Sequence, residues 1–441
     1  MKFLSVVHLV DTEGPLFEPL NITFKRINEL FNLKIKPSKK NLQKIINKTI
    51  DLPLNKKDKI IFFNSFNENI LSYNKNLGEL NSQNKIIFSK KFRKKFKDSF
   101  NKDWLINWNC VDHINYVSNP QKRLIGTHKI YDYYNKLIKL NKSKDEIHFH
   151  FHPQSISNHA NTTGNHYFSH SNNIYQILSK RIIDRNWFPS SYRAGFHIEN
   201  PDSNWFLEQF IPFDYSNQST NQKNLNYGRF ENWQSSTQNW TPYHPAHDDY
   251  RVKGNCRRFI ARCLNIGTRI SILNNKEVEK AFVSKKKGVK TILAFTNHDF
   301  RSMFKDFDDV YKMLNDASKK YDLKFKFCGA REAFNNEFGK SKKRLKFNIK
   351  LKNNTLYIKS NKKIFGPQPF LAIKDNNKKY FHENFFIEKP FYKWRYTFDR
   401  HSLEMKKVLC FAFAANDKNG FTTIVKIFFK NKKFKIKNYN I

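Results

Sequence analysis

FLSVVHLVDTEGP, residues 3–15, decides how the rest of the chain is read. Residues 3–10 are a short apolar run, and such a run closed by turn residues reads as a strand. It stops at the acidic cluster Asp11-Thr12-Glu13, with Pro15 just beyond. Lys2 and the run after it faintly resemble a secretion signal. No small-residue cleavage site follows, so the strand reading is kept and a cytoplasmic protein is expected.

Working outward, EIHFHFHP (146–153) alternates with period two. In a strand, His148, His150 and His152 then share one face, and Phe149 and Phe151 share the other. A short strand leads into SSYRAGF around Arg193, and VKTILAF (289–295) runs into TNHDFR. Helical spacing appears at Ile174, Leu178 and Ile182, and again over Met303, Phe307, Val310, Leu314, Ala317 and Tyr321. KFKF (324–327) reads as the strand after that helix. Strand, helix and strand in repeated order predict an α/β layer or barrel with parallel strands.

Residues 16–145 form a long Lys/Asn-rich insertion, too long for a loop. It holds helical patches and strand-like runs such as KIIFF (59–63). Near its end, residues 107–134 carry acidic, His and Arg side chains within reach of a site. A polar loop region rich in Asn, Gln and Trp covers 216–250. From about residue 341 the period changes. RLKFNIKLK alternates strictly, Asn353-Asn354 marks a turn, and TLYIK, PFLAI, KWRYTF, VLCFAFAA and TTIVKIFF follow. This predicts an all-β sandwich over 341–441 behind an α/β unit over 1–340.

The 441 residues are 39% hydrophobic and 16% aromatic, which supplies a core and argues against global disorder. No apolar stretch reaches the length of a membrane span. Cys110, Cys256, Cys263, Cys328 and Cys410 are odd in number and lack a CxxC pair, so they read as free thiols. A net charge of +42 raises the question of a nucleic-acid partner. The excess is mostly Lys spread along the whole chain, in a composition also rich in Asn, Ile and Phe. No dedicated nucleic-acid role is expected. An anionic substrate, such as a diphosphate-linked sugar, would gain equally from this field.

Parallel α/β architectures gather their functional residues at the carboxyl ends of strands. Four clusters sit there: Asp11 with Glu13, His148 to His152, Arg193, and His298 with Asp299. Clustered imidazoles beside a carboxylate suit a divalent ion such as Zn²⁺. The competing reading is a polar strand face with bonded histidines. One of Asp11 and Glu13 would ligate the metal, and the other would serve as general base. Arg193 would keep a carboxylate ionised, or form a plain salt bridge. His298, its pKa raised by Asp299 or another acid, would protonate a leaving group, or simply start a helix. His159, His166 and His170 read as surface residues.

The order of these motifs resembles the polysaccharide deacetylases, the NodB-like carbohydrate esterases. The resemblance covers residues 1 to about 335 and rests on DTEGP, the His-rich strand end, the R-A-G turn, Asp214 and Ser216 in PFDYSNQ, and the late His298. It implies a distorted, incomplete (β/α) barrel. It also implies Asp11 as base, Glu13 and two of His148, His150 and His152 as metal ligands, Arg193 orienting Asp11, and His298 as acid. His148 and His152 have the family's spacing of four, whereas a divergent form aligns with His150 and His152. The expected reaction is removal of an N- or O-acetyl group from a carbohydrate, in surface-polysaccharide assembly. Trp233, Trp240 and Tyr243 would stack on sugar faces or pack locally. The rival readings are a carbohydrate-binding protein without catalysis and a basic nucleic-acid-binding protein.

Overall fold

The computed structural model describes residues 2–113, 119, 121–123, 126–152, 171–221, 233–268, 270–339, 343–430 and 433–440. Parallel strands come first: β1 (Phe3–Thr12), β2 (Ile106–His113), β3 (Glu146–His152), β4 (Ser191–Ala194), β5 (Phe213–Asn217), β6 (Phe259–Asn265), β7 (Ile292–His298) and β8 (Lys324–Phe327). Their order is β2-β3-β4-β5-β6-β7-β1, and β1 pairs back to β2, closing a ring of seven. The ring is closed where the resemblance implies an incomplete one. One edge of β1 is divided: His8–Thr12 pair with β2, and Phe3–Val6 pair with β8.

Alternation along the strands sorts side chains between two cores. Val7 and Leu9, Phe213 and Tyr215, Ala261 and Cys263, and Ile292 and Ala294 fill the interior. The Ala330–Phe338 helix plugs the amino end, with Phe334 stacked on Phe213 at 4.3 Å. Residues of opposite parity, among them Leu4, Val6, Val10, Trp108, Phe149, Phe151 and Phe295, pack outward against the helices. The apolar interior ends at Leu9. The next inward residue of β1 is Asp11, so polarity begins where the barrel opens.

Within 16–145, helices Leu20–Phe31, Lys39–Ile46 and Lys56–Ser65 share a small core around Phe24, Ile27 and Phe62. KIIFF is therefore helical, not a strand. The Asn55 side chain accepts from the Asp58 amide and starts the helix, leaving Ile60 in solvent and Phe62 buried. The same region also supplies β2 and the Thr127–Leu140 helix, which belong to the barrel itself.

The carboxyl-terminal strands are β9 (Phe347–Lys352), β10 (Thr355–Ser360), β11 (Phe370–Asp375), β12 (Tyr380–Glu383), β13 (Phe386–Lys389), β14 (Lys393–Thr397), β15 (Val408–Asn416), β16 (Thr422–Lys430) and β17 (Lys433–Asn440). They form two antiparallel sheets, β13-β14-β10-β9 and β12-β11-β15-β16-β17. Leu356, Ile358, Trp394, Phe411, Phe413 and Val425 lie between the sheets. The other face of the five-stranded sheet, with Phe370, Ala372, Ala412 and Ala414, joins the barrel core against the Ser171–Arg185 helix. These sheets are docked on the barrel. Among the described residues, no helix is long and apolar enough to cross a membrane.

Candidate active site

Strand register assembles the mouth of the barrel. Asp11 stands beside His298 on one edge of β1 and beside Asn109 on the other. His150 stands beside Arg193 across the β3–β4 pair. A slip of one residue in any of these pairs would turn the inward set outward. Glu13 follows one step past the end of β1.

Glu13 Oε1 lies 3.1 Å from His152 Nε2 and 3.7 Å from His150 Nε2, and the two nitrogens are 3.0 Å apart. The three donor atoms all lie within 4.8 Å of one another. A tetrahedral ion with bonds of about 2.1 Å needs donors about 3.4 Å apart, a spacing these separations bracket. The orientation fits as well. His150 Nδ1 is 2.9 Å from the Arg193 carbonyl oxygen, to which it donates, so Nε2 is left to face the centre. Arg123 Nη1 donates to Glu13 Oε2 at 2.5 Å, leaving Oε1 toward the imidazoles. Two imidazole nitrogens and one carboxylate oxygen suit a borderline divalent cation such as Zn²⁺ and leave a coordination position open.

His148 shares the strand face but sits deeper. Its Nε2 lies 3.0 Å from Asn107 Oδ1 and 3.5 Å from Glu146 Oε2, and Asn107 Oδ1 also accepts from the Ala330 amide at 2.8 Å. The structure thus groups His150 and His152 with Glu13 and places His148 outside that group. Burial pushes His148 down to about 3, so it stays neutral in the barrel interior.

Asp11 is held from two sides. Arg193 Nε donates to Oδ2 at 2.9 Å and to Oδ1 at 3.1 Å, and Asn109 Nδ2 donates to Oδ1 at 2.8 Å. The rest of the guanidinium is also fixed, with Nη1 on the Tyr215 carbonyl at 2.8 Å and Nη2 on His197 Nδ1 at 3.0 Å. Gly195 is required here. A Cβ at that position would come within 2.4 Å of both the His152 ring and the Phe151 carbonyl. Phe196 and His197 then take positive φ of 53° and 62°, turning His197 back onto Arg193.

Burial alone would raise the Asp11 carboxyl. Arg193, with His150 and His298, outweighs it and holds the group well below the usual carboxylate range. Glu13 is likewise depressed, with Arg123 and His152 overcoming burial. Burial opposes charge on His150, but Asp11 and Glu13 raise its pKa. At His152, burial outweighs Glu13 and brings the imidazole down to about 4.

His298 Nε2 faces Asp11 Oδ2 at 3.8 Å and Glu13 Oε1 at 3.9 Å. Burial outweighs those carboxylates and brings it down to about 4. Asp299 does not raise it, because its carboxylate points elsewhere. Oδ1 accepts from the Glu13 and Gly14 amides at 2.8 and 2.7 Å, and Oδ2 takes the Tyr134 hydroxyl at 2.5 Å. Asp299 therefore shapes the turn that carries Glu13.

Asp214 and Ser216 support the mouth from behind. Asp214 pairs with Arg258, which also binds Glu199 at 2.8 Å, and Ser216 Oγ accepts from the Ala194 amide at 2.8 Å. Trp233, Trp240 and Tyr243 are buried, so they pack locally and offer no sugar platform. Their polar atoms bond inward, Trp233 to the His197 carbonyl and Trp240 to the Glu277 carbonyl. His159, His166 and His170 lie outside the described residues.

Comparison with protein-family models and with curated proteins finds no match to this chain. Arg123, Asn109 and Tyr134 are among the supporting residues that motif reading does not single out. All three fall within 107–134, where the sequence signals polar side chains but no spacing assigns them.

Proposed function

We propose that this chain is a metal-dependent hydrolase of the polysaccharide-deacetylase type, removing an N- or O-acetyl group from a carbohydrate. One observation carries the reading: three metal-type donors, Glu13, His150 and His152, stand beside an ionised carboxylate clamped by an arginine. A divalent cation at those donors would supply Lewis acidity to an acyl carbonyl and to water.

The chain's own groups do the rest. Asp11 takes the proton from the attacking water, and Arg193 and Asn109 fix its direction of approach. The depressed basicity of Asp11 makes it a transient holder. His298, neutral before the reaction and facing both carboxylates, receives that proton and delivers it to the departing amine or alcohol. Acid and base groups placed in this way each contribute roughly 10²–10⁴-fold. Glu13, pinned by Arg123 and by the hydrogen bonds that the Glu13 and Gly14 backbone amides donate to Asp299, keeps its ligating oxygen in place. The order of motifs, from DTEGP to the late histidine, supports the same family.

The test is acetate release from N- and O-acetylated glucosamine oligosaccharides by the purified protein. Asp11→Asn, nearly isosteric, should lower the rate at least a hundredfold while the bound metal is retained. Wild-type protein that releases no acetate from either substrate class, or an active Asp11→Asn variant, overturns the reading.

A further inference from the structure

The helices Leu20–Phe31, Lys39–Ile46 and Lys56–Ser65 pack on a core of their own, separate from that of the barrel. The chain enters and leaves this helical unit beside the turns that carry Glu13 and His298. On the way in, the Leu16 amide donates to the Asn74 carbonyl at 2.9 Å, and the Phe17 amide donates to the Gln121 carbonyl at 3.0 Å. On the way out, the Asn74 amide donates to the Phe300 carbonyl at 2.7 Å, and Asn74 Nδ2 donates to the Asp299 carbonyl at 2.7 Å.

Glu18 is the hub of this junction. It is buried, and its carboxylate takes Arg26 Nε at 3.1 Å, Arg26 Nη2 at 2.6 Å, the Thr23 hydroxyl at 3.0 Å and Gln121 Nε2 at 3.1 Å. Thr23 and Arg26 belong to the first helix of the unit, and the Arg26 guanidinium lies 5.4 Å from the Phe66 ring of its core. Gln121 passes the connection on. Its Oε1 accepts from Arg123 Nη2 at 3.2 Å, and Arg123 Nη1 donates to Glu13 Oε2 at 2.5 Å. One side-chain amide thus joins two buried ion pairs, Arg26 with Glu18 and Arg123 with Glu13. An amide suits the place, because its nitrogen donates to the carboxylate and its oxygen accepts from the guanidinium. Among the described residues, Arg123 Nε has no hydrogen-bond partner. Gln121 is therefore the side chain that keeps the guanidinium from pivoting about its bond to Glu13.

We infer that Glu18 is a positioning residue for the candidate metal centre, acting through Gln121 and Arg123 on Glu13, and that the helical unit is coupled to the cation by this chain. The inference rests on the cation site of the proposed function and not on the reaction carried out there. Such coupling is reciprocal. Cation held by Glu13, His150 and His152 steadies the helical unit, and cutting the chain weakens the cation.

The experiment measures Zn²⁺ affinity of the full chain by competition with a chelator, in the wild type, Gln121→Leu and Glu18→Gln. Hydrogen exchange of residues 20–65 is recorded with and without Zn²⁺. Gln121→Leu leaves the Arg26–Glu18 pair intact, so it separates positioning from folding and decides the matter even where Glu18→Gln misfolds. Each variant should bind Zn²⁺ about tenfold more weakly, the lower end of what outer contacts to a metal contribute. Zn²⁺ should slow exchange over 20–65 in the wild type, and Gln121→Leu should lose that protection. Wild-type affinity in either folded variant, or exchange over 20–65 that Zn²⁺ leaves unchanged, overturns the inference. Wild-type protein that binds no Zn²⁺ overturns it together with the cation site. Both effects present without acetate release count against the deacetylase reading alone.

Discussion

The Tyr134 hydroxyl donates to Asp299 Oδ2 at 2.5 Å, and Asp299 Oδ1 in turn receives the amides of Glu13 and Gly14. A helix from the long region between β1 and β3 thereby sets the turn that carries a candidate metal ligand. Tyr134→Phe removes one bond and keeps the ring stacked on Trp108 at 4.5 Å. The fold should persist. Metal affinity should fall about tenfold, the lower end of what outer contacts to a metal site contribute, as read by competition with a chelator. Unchanged affinity would show that the turn holds itself.

The interior of the barrel is closed by one helix. Phe334 stacks on Phe213 at 4.3 Å with an interplanar angle of 8°, and it also packs on Tyr215 and Phe259. Phe334→Ala should cost about 3–5 kcal/mol in urea unfolding, since the plug leaves a cavity that the strands cannot collapse into. A cost below about 1 kcal/mol would mean that the helix contributes little to closing the ring.

Acid should destabilise the protein through His8. Trp104 Nε1 donates to His8 Nδ1 at 3.0 Å, and His8 Nε2 lies 3.0 Å from Asn297 Oδ1, which fixes the neutral form. Burial lowers its pKa from 6.5 to about 3. Between those values the unfolded chain binds the proton and the folded chain does not, so stability rises with pH through that window and is lost as pH falls below 6.5. His148, also lowered to about 3, adds to the same slope. His8→Gln should be less stable at pH 7 and should lose less stability between pH 7 and pH 4 than the wild type, by urea midpoints. A wild-type midpoint flat over that range contradicts the assignment.

The residues that were legible and those that were not differ for physical reasons. β1, β3 and β7 are apolar or alternating runs that break into polar clusters, because their lower halves fill a core and their upper ends face an open mouth. β2 is not legible in this way. Its inward positions, Asn107 and Asn109, bind His148 and Asp11, while outward-facing Asp112 is buried against Arg181 at 2.6 Å. Polar residues on both faces hide the alternation. The choice among His148, His150 and His152 depends on depth. Two residues along a strand amount to roughly 6.6 Å, and only the register against β2 and β4 shows that His148 lies below the mouth. Arg123 reaches Glu13 from 110 residues away, a distance no local pattern spans.

The central claim is that Glu13, His150 and His152 hold a divalent cation, and metal analysis of purified variants tests it most directly. Wild-type protein and His148→Gln should carry stoichiometric metal, whereas His150→Ala, His152→Ala and Glu13→Gln should each lose most of it while remaining folded by circular dichroism. Metal content that survives the His150 and His152 replacements, or that disappears only with His148, would contradict the account.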